Sequence, residues 1–208
     1  MATELTQRIL SGAVLGALVL ALTWWNLYSF TALCMVAGVV LLSEWLNLVK
    51  TRAPMWIAVG FIYIFAATLS LLYLRAMDLN ILLAVFAIVW TGDIAAYFTG
   101  KKFGKHKIAP AISPGKSWEG LAGSVIASAA MGAALGHVAP LPHAVLGAVF
   151  AILGLGGDLF ESALKRRAGV KDSGRLLPGH GGLFDRVDAL LPCAIFAGAA
   201  LYIRLNMQ

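Results

Sequence analysis

Long apolar runs recur along almost the whole chain, and they leave few folds open to it. A helix that crosses a bilayer needs roughly 20 mostly apolar residues, and it satisfies its own backbone polar groups. Seven segments meet that need: 8–24, 27–49, 54–74, 79–100, 118–138, 143–164 and 188–205. The breaks between them carry loop chemistry. Thr51-Arg52-Ala53-Pro54 separates the second and third runs, Arg75 to Asn80 the third and fourth, and Pro140 and Pro142 the fifth and sixth. Two longer polar segments, 101–117 and 165–187, follow the fourth and sixth. The break near Asn26 is the weakest, and the first two runs also read as a tight hairpin. Charged residues make up 12% of the chain and hydrophobic residues 60%, whereas a soluble domain carries about 25% charged residues. The fold class is therefore all-α: a polytopic integral membrane helical bundle of seven transmembrane helices. Soluble enzyme folds, disulfide scaffolds and disordered chains are excluded.

The distribution of bases orients the bundle. With the N-terminus in the cytoplasm, 14 of the 16 Lys and Arg fall inside, and only Arg75 and Arg204 fall outside. That asymmetry is what the positive-inside rule expects. The net charge of +6 then reflects topology and a cytoplasmic site, with no nucleic-acid partner needed. The first run follows a single Arg8, and no small-x-small site closes it before Trp24 and Trp25, so it reads as a retained helix. Cys34 and Cys193 lie in apolar runs and read as packing residues, not as a disulfide or a metal pair. The pairs Gly12/Gly16 and Gly132/Gly136 have helix-contact spacing, but in a chain with 22 glycines they carry little weight.

The acids are the informative residues. Glu44, Asp93, Glu119, Asp158, Glu161, Asp185 and Asp188 all fall in or beside apolar helices, near their cytoplasmic ends in this topology. Ionised groups there are costly and face a cavity, an ion or a partner charge. Asp158 and Glu161 are three apart near the end of the sixth run, and Asp185 and Asp188 three apart at the start of the seventh. Residues at i and i+3 share a helix face. If the two helices are antiparallel neighbours, both acidic faces sit at one depth, and four carboxylates together require a cation. Mg²⁺ takes oxygen ligands from one or two carboxylates plus substrate phosphates. The bland alternative is that each acid pairs with a Lys or Arg and locks helix ends; for Glu44 and Glu119 the two readings are evenly balanced. His106, His137, His143 and His180 have no zinc-like spacing.

The loop joining those helices combines bases, hydroxyls and the turn Pro178-Gly179-His180-Gly181-Gly182 just before a helix start. Glycines let backbone N–H groups approach an anion, and Lys and Arg add charge for phosphate oxygens. The earlier loop has the same character, with Asp93 before it and Ser113-Pro114-Gly115-Lys116-Ser117 at a helix start. Gly115-Lys116-Ser117 shares the ending of a P-loop. The upstream glycine that motif requires falls on Pro110, so a Walker site is rejected.

Residues 162–188 closely resemble the signature of the phosphatidate cytidylyltransferases, also called CDP-diacylglycerol synthases. Ser162, Lys165-Arg166, Lys171-Asp172, Pro178, His180-Gly181-Gly182, Asp185-Arg186 and Asp188 fit it without a gap, as do Gly157-Asp158 upstream and the Phe-Gly-Lys, Ser-Pro and Lys-Ser-x-Glu-Gly elements between Gly92 and Gly120. The likeness covers residues 90–190, and the N-terminal third matches only as apolar helices. The resemblance implies that residues 1–89 are N-terminal transmembrane helices and residues 90–208 a catalytic transmembrane region. It implies transfer of CMP from CTP to phosphatidate, giving CDP-diacylglycerol and pyrophosphate, at the cytoplasmic face of a bacterial inner membrane. It makes Asp158 and Asp185 the first metal ligands, with Glu161 and Asp188 in support, for Mg²⁺ alone or with a second cation. Lys165, Arg166, Lys171 and Arg175 become phosphate contacts, Ser162 and Asp172 part of the substrate site, and His180, Gly181 and Gly182 the turn around the nucleotide phosphates. Ser113, Lys116 and Ser117 would hold a second phosphate group, and Asp93 would orient a base or bind a cation. A homodimer is expected from the resemblance.

Two other readings compete. A CTP-dependent lipid kinase, or an archaeal cytidylyltransferase acting on ether lipids, would use related loops; a kinase would release CDP instead of pyrophosphate. A cation transporter would use the acids as its pathway, but its site would lie near the midplane, and these acids gather at one face.

Overall fold

Helix boundaries in the computed structural model follow the local chemistry of each break. The structure describes residues 2–49, 54–136, 139–174, 176 and 181–207. The helices are α1 Ala2–Trp25, α2 Leu27–Val49, α3 Pro54–Met77, α4 Leu79–Phe103, α5 Trp118–Leu135, α6 Pro140–Ala168, the short α7 Phe184–Val187 and α8 Leu190–Asn206. Among the described residues, α2 to α6 are long and apolar enough to cross a membrane, while α8 and the apolar part of α1 from Val14 to Trp25 are shorter.

The weakest break in the sequence is sharply defined. Asn26 alone separates α1 from α2. Its side-chain oxygen accepts the Ser29 N–H at 2.8 Å, and the Ser29 hydroxyl lies 3.3 Å from the Asn26 N–H. This reciprocal cap satisfies donors that a helix start otherwise leaves orphaned.

Three expectations need correction. The segment 101–117 is not all loop. α4 carries Lys101 and Lys102 on its last turn, and β1 Lys107–Ala109 pairs antiparallel with β2 Ser113–Ser117. The sixth helix starts at Pro140, before the expected 143, because prolines are tolerated in a first turn whose N–H groups have no helical acceptor. It also continues to Ala168, so Lys165, Arg166 and Arg167 stand on helix. There the chain stops in a left-handed Gly169 (φ 73°), with Val170 N–H donating to Lys165 O and Gly169 N–H to Arg166 O. That is the Schellman closure.

The chain groups into two compact units that interleave along the sequence. The first contains Met1–Leu79, Leu164–Val187 and Gly198–Gln208. Within it α2 packs on α1 and α3 around Phe30, Leu41, Trp45, Ile64 and Leu74. Trp45 is fully buried, and its indole N–H donates to Trp56 O at 2.8 Å. Gly60 lies flat against that ring, where a Cβ would collide with it. Phe184 of α7 sits 6.0 Å from the Trp45 ring.

The second unit contains Asn80–Ala163 and Asp188–Ala197. Its helices approach through small residues. Gly92 faces Ser124 and Ser128, Gly123 faces Thr99, and Gly132 and Gly136 face His143. The Gly132/Gly136 pair, given little weight in the sequence, is thus an α5–α6 contact of the small-residue kind, whereas among the described residues a Cβ on Gly16 would meet nothing. Cys34 and Cys193 are free and buried, as packing residues should be.

Candidate active site

In the first unit a helix end, a loop and α7 meet on one carboxylate. Asp185, second residue of α7, accepts Lys165 Nζ at 2.6 Å through Oδ1. Its Oδ2 lies 2.9 Å from Ser173 N, 3.0 Å from Ser173 Oγ and 2.8 Å from Gly182 N, all donors. The ion pair is well covered, with side chains only 12% and 8% exposed for Lys165 and Asp185. Lys165 reaches it from the last turn of α6, where a helix C-terminus favours positive charge. Gly181 has φ 81°, a conformation that disfavours side chains, and a Cβ there would crowd Asp185 and Asp172. Ser162 is buried, while Arg166, Lys171 and Asp172 are exposed beside this loop. Arg175 and His180 lie outside the described residues.

A second carboxylate, absent from the site residues read in the sequence, grips the same loop. Glu44 of α2 accepts Leu183 N–H at 2.9 Å through Oε1, and Phe184 N–H at 2.8 Å and Ser173 O–H at 3.0 Å through Oε2. It is 5% exposed. Among the described residues its contacts are all neutral N–H and O–H donors. Its only sequence signal was a buried acid in an apolar run, and the loop that it holds is more than 120 residues away in the chain (Ser173 is 129 positions on).

The second unit gathers the other acids around one lysine. Lys116 of β2 forms an ion pair with Asp158 of α6. Asp93 of α4 and Asp188 lie close enough to feel the charges of Lys116 and Asp158, and Asp188 also that of Asp93. Asp188 also accepts the Ala189 N–H at 2.9 Å, and Gly157 lets α6 approach the Asp188 backbone closely. Three carboxyl groups thus gather near one base and offer hard oxygen donors. Among the described residues no three His, Cys, Asp or Glu form a ready metal cage. This donor set suits a hard cation bound by one or two carboxylates and completed by substrate oxygens. Glu161 is buried one helical turn beyond Asp158.

The hairpin that presents Lys116 is fixed at both ends. Ser117 is buried, and its hydroxyl caps α5 by accepting the Gly120 N–H at 3.1 Å. Glu119 pairs with His106 Nδ1 at 2.6 Å, a lock between the start of the hairpin and the first turn of α5. Ser113 is half-buried at the other end of β2.

Comparison with known proteins identifies the family of this chain. The sequence pattern of the cytidylyltransferase family matches residues 55–204. A protein of Brucella suis named phosphatidate cytidylyltransferase is 33% identical over 97% of this chain and 93% of its own length. One of Rickettsia typhi with the same name is 34% identical, over 94% of this chain and 92% of its own. A Pseudomonas aeruginosa protein, also so named, is 41% identical over 87% of this chain and 66% of its own. With a family match over most of its length and relatives aligned nearly end to end, this chain belongs to the cytidylyltransferase family.

Proposed function

We propose that the chain transfers the cytidylyl group of CTP to phosphatidate, giving CDP-diacylglycerol and pyrophosphate. The observation that carries this reading is the folded signature: Lys165, Ser173, Gly182 and Asp185 are tied into one node. Phosphatidate keeps its acyl chains in the bilayer and its phosphate at headgroup depth, while CTP arrives from water. A phosphatidate oxygen attacks the α-phosphorus of CTP, a new P–O bond forms, and the bond to the β-phosphate oxygen breaks. The electron pair leaves on pyrophosphate. Phosphatidate is already ionised, so no general base is required. Repulsion between two anions is the main obstacle, and positioning with electrostatics supplies most of such catalysis.

Lys116, Lys165, Arg166 and Lys171 are the phosphate contacts in this proposal, with Ser113 at the rim and Arg175 and His180 assigned from the resemblance alone. Mg²⁺ would be held through Asp158 and Asp188, with Asp93 contributing charge, and would neutralise phosphate oxygens. Glu161 is a further acid of the second unit, and Asp185 is assigned to the metal from the resemblance alone; it already serves Lys165, Ser173 and Gly182 within the protein. A seven-helix topology with a cytoplasmic N-terminus, a cytoplasmic membrane location and a homodimer belong to the same proposal. The charge asymmetry of the sequence supports the first two: in that topology 14 of the 16 Lys and Arg fall on the cytoplasmic side.

The test is lipid labelling. Purified protein receives phosphatidate, Mg²⁺ and CTP labelled at the α-phosphate, and label is counted in the organic phase. Label entering lipid only with phosphatidate supports the proposal. Transfer of label from γ-labelled CTP instead would identify a lipid kinase.

A further inference from the structure

The signature loop is held from outside the stretch that matches the family pattern. That stretch is 55–204, and Glu44 lies before it, on α2. The loop departs from α6 and returns to α7, and its two limbs meet at Ser173 and at Gly182-Leu183-Phe184. Two buried carboxylates close that neck. Asp185 belongs to the loop itself. Glu44 comes from a different element and touches both limbs, through the Ser173 hydroxyl on one and the Leu183 and Phe184 amides on the other. The single Ser173 hydroxyl proton lies between the two carboxylates, 3.0 Å from an oxygen of each. Space is tight as well as polar: a Cβ on Gly174 would press on Glu44, and one on Gly182 would meet both Ser173 Oγ and Glu44. Trp45, the next residue on α2, sets its fully buried ring in a tilted contact 6.0 Å from Phe184 and so fixes the helix that delivers Glu44.

We propose that Glu44 is a positioning residue for the transfer reaction: it sets the spacing of the loop neck and thereby holds the Lys165–Asp185 pair in its reactive arrangement. The inference rests on the cytidylyl-transfer reading and extends it to the N-terminal helices. Glu44 touches no reacting atom. It acts through Ser173 and the α7 amides, whose displacement would carry Asp185 and Lys165 with them. Misplacing a positioned group by about 1 Å costs on the order of 100-fold in rate.

Glu44→Gln is the informative variant. It keeps the shape of the side chain but replaces one accepting oxygen with an NH₂ group that cannot accept. Either the Leu183 amide, or the Phe184 amide together with the Ser173 hydroxyl, must then face an NH₂ group in place of its acceptor. Ser173→Ala is the second variant; it removes the shared hydroxyl and leaves the Ser173 N–H on Asp185. Each would be purified in detergent and its thermal midpoint and folded fraction measured. Hydrogen exchange would be read on the segment 173–187, and kcat and KM for CTP measured per folded molecule. The expected result is faster exchange in that segment, kcat lowered roughly 10- to 100-fold, a smaller change in KM, and a double variant no worse than the worse single one. Exchange unchanged in both variants would overturn the proposal. So would a loss of activity that disappears once rates are counted per folded molecule, which is the behaviour of a mere structural lock. An inactive wild-type protein would instead refute the cytidylyl-transfer reading, and the exchange measurement would still decide whether Glu44 holds the neck.

Discussion

Asp185 shows how a single carboxylate organises this chain. Its charge is partly buried and answered by Lys165, with three further donor contacts from Ser173 and Gly182. Removing one partner of a buried ion pair leaves an uncompensated charge and costs about 3–5 kcal/mol. Lys165→Met should therefore lower the thermal midpoint in detergent clearly. Adding Asp185→Asn to it should restore part of the loss without restoring activity. Asp158 faces a different environment, paired with Lys116 and more open, with a side chain 22% exposed. Asp158→Asn should abolish lipid labelling while leaving the melting curve nearly intact, and full activity in that variant would remove Asp158 from the proposed cation site. These two acids looked equivalent in the sequence because each sits beside an apolar helix with a second acid three residues on. Their partners distinguish them, and those partners lie 20 positions away for Asp185 and 42 for Asp158.

Among the elements, caps and small residues decide where helices end and how closely they pack. Ser117 ends the hairpin and starts α5 with one hydroxyl. Ser117→Ala should cost about 0.5–2 kcal/mol, the usual range for a lost N-cap, and should loosen the strand that presents Lys116. A thermal melt paired with lipid labelling would register both effects. The α5–α6 contact depends on the absence of side chains at Gly132 and Gly136, since His143 occupies that space. Gly132→Leu would drive a side chain into the backbone of α6. Overpacking of this kind costs typically about 1–3 kcal/mol, and a melting midpoint equal to wild type would show that this contact is dispensable. The hairpin itself was not legible in the sequence. Its strands are only three and five residues long, they carry Pro114 and Gly115, and no apolar alternation marks them.

For the whole molecule, the apolar runs and the bases carry one message about the membrane. Among the described residues, five helices are long and apolar enough to span it. The two remaining apolar helices, and the side each loop faces, belong to the topology proposed above. Single cysteines in a background lacking Cys34 and Cys193 would test it in intact cells. Cysteine at Lys105 or Lys171 should react with an impermeant thiol reagent only after the membrane is opened. Cysteine at Asp78 should react from outside. The reverse pattern would invert the orientation.

Helix existence, helix order and the segments rich in chemistry came from the sequence alone. The reason is that lipid imposes a rule each segment must satisfy by itself: enough apolar length, internal backbone hydrogen bonds, and polar residues at the breaks. Five of the seven expected spans begin within two residues of an observed helix; α1 and α6 begin earlier, at Ala2 and Pro140. The signature at 162–188 was equally legible, because its residues lie in one continuous stretch. Which acid meets which donor was not legible. Glu44 with Ser173, Leu183 and Phe184, Lys165 with Asp185, and Lys116 with Asp158 are contacts between elements distant in the chain. A carboxylate in an apolar run announces only that it needs partners. Tertiary packing alone brings those partners within hydrogen-bond reach, and so decides whether the acid holds a base, clamps a loop or shares its charge with other acids.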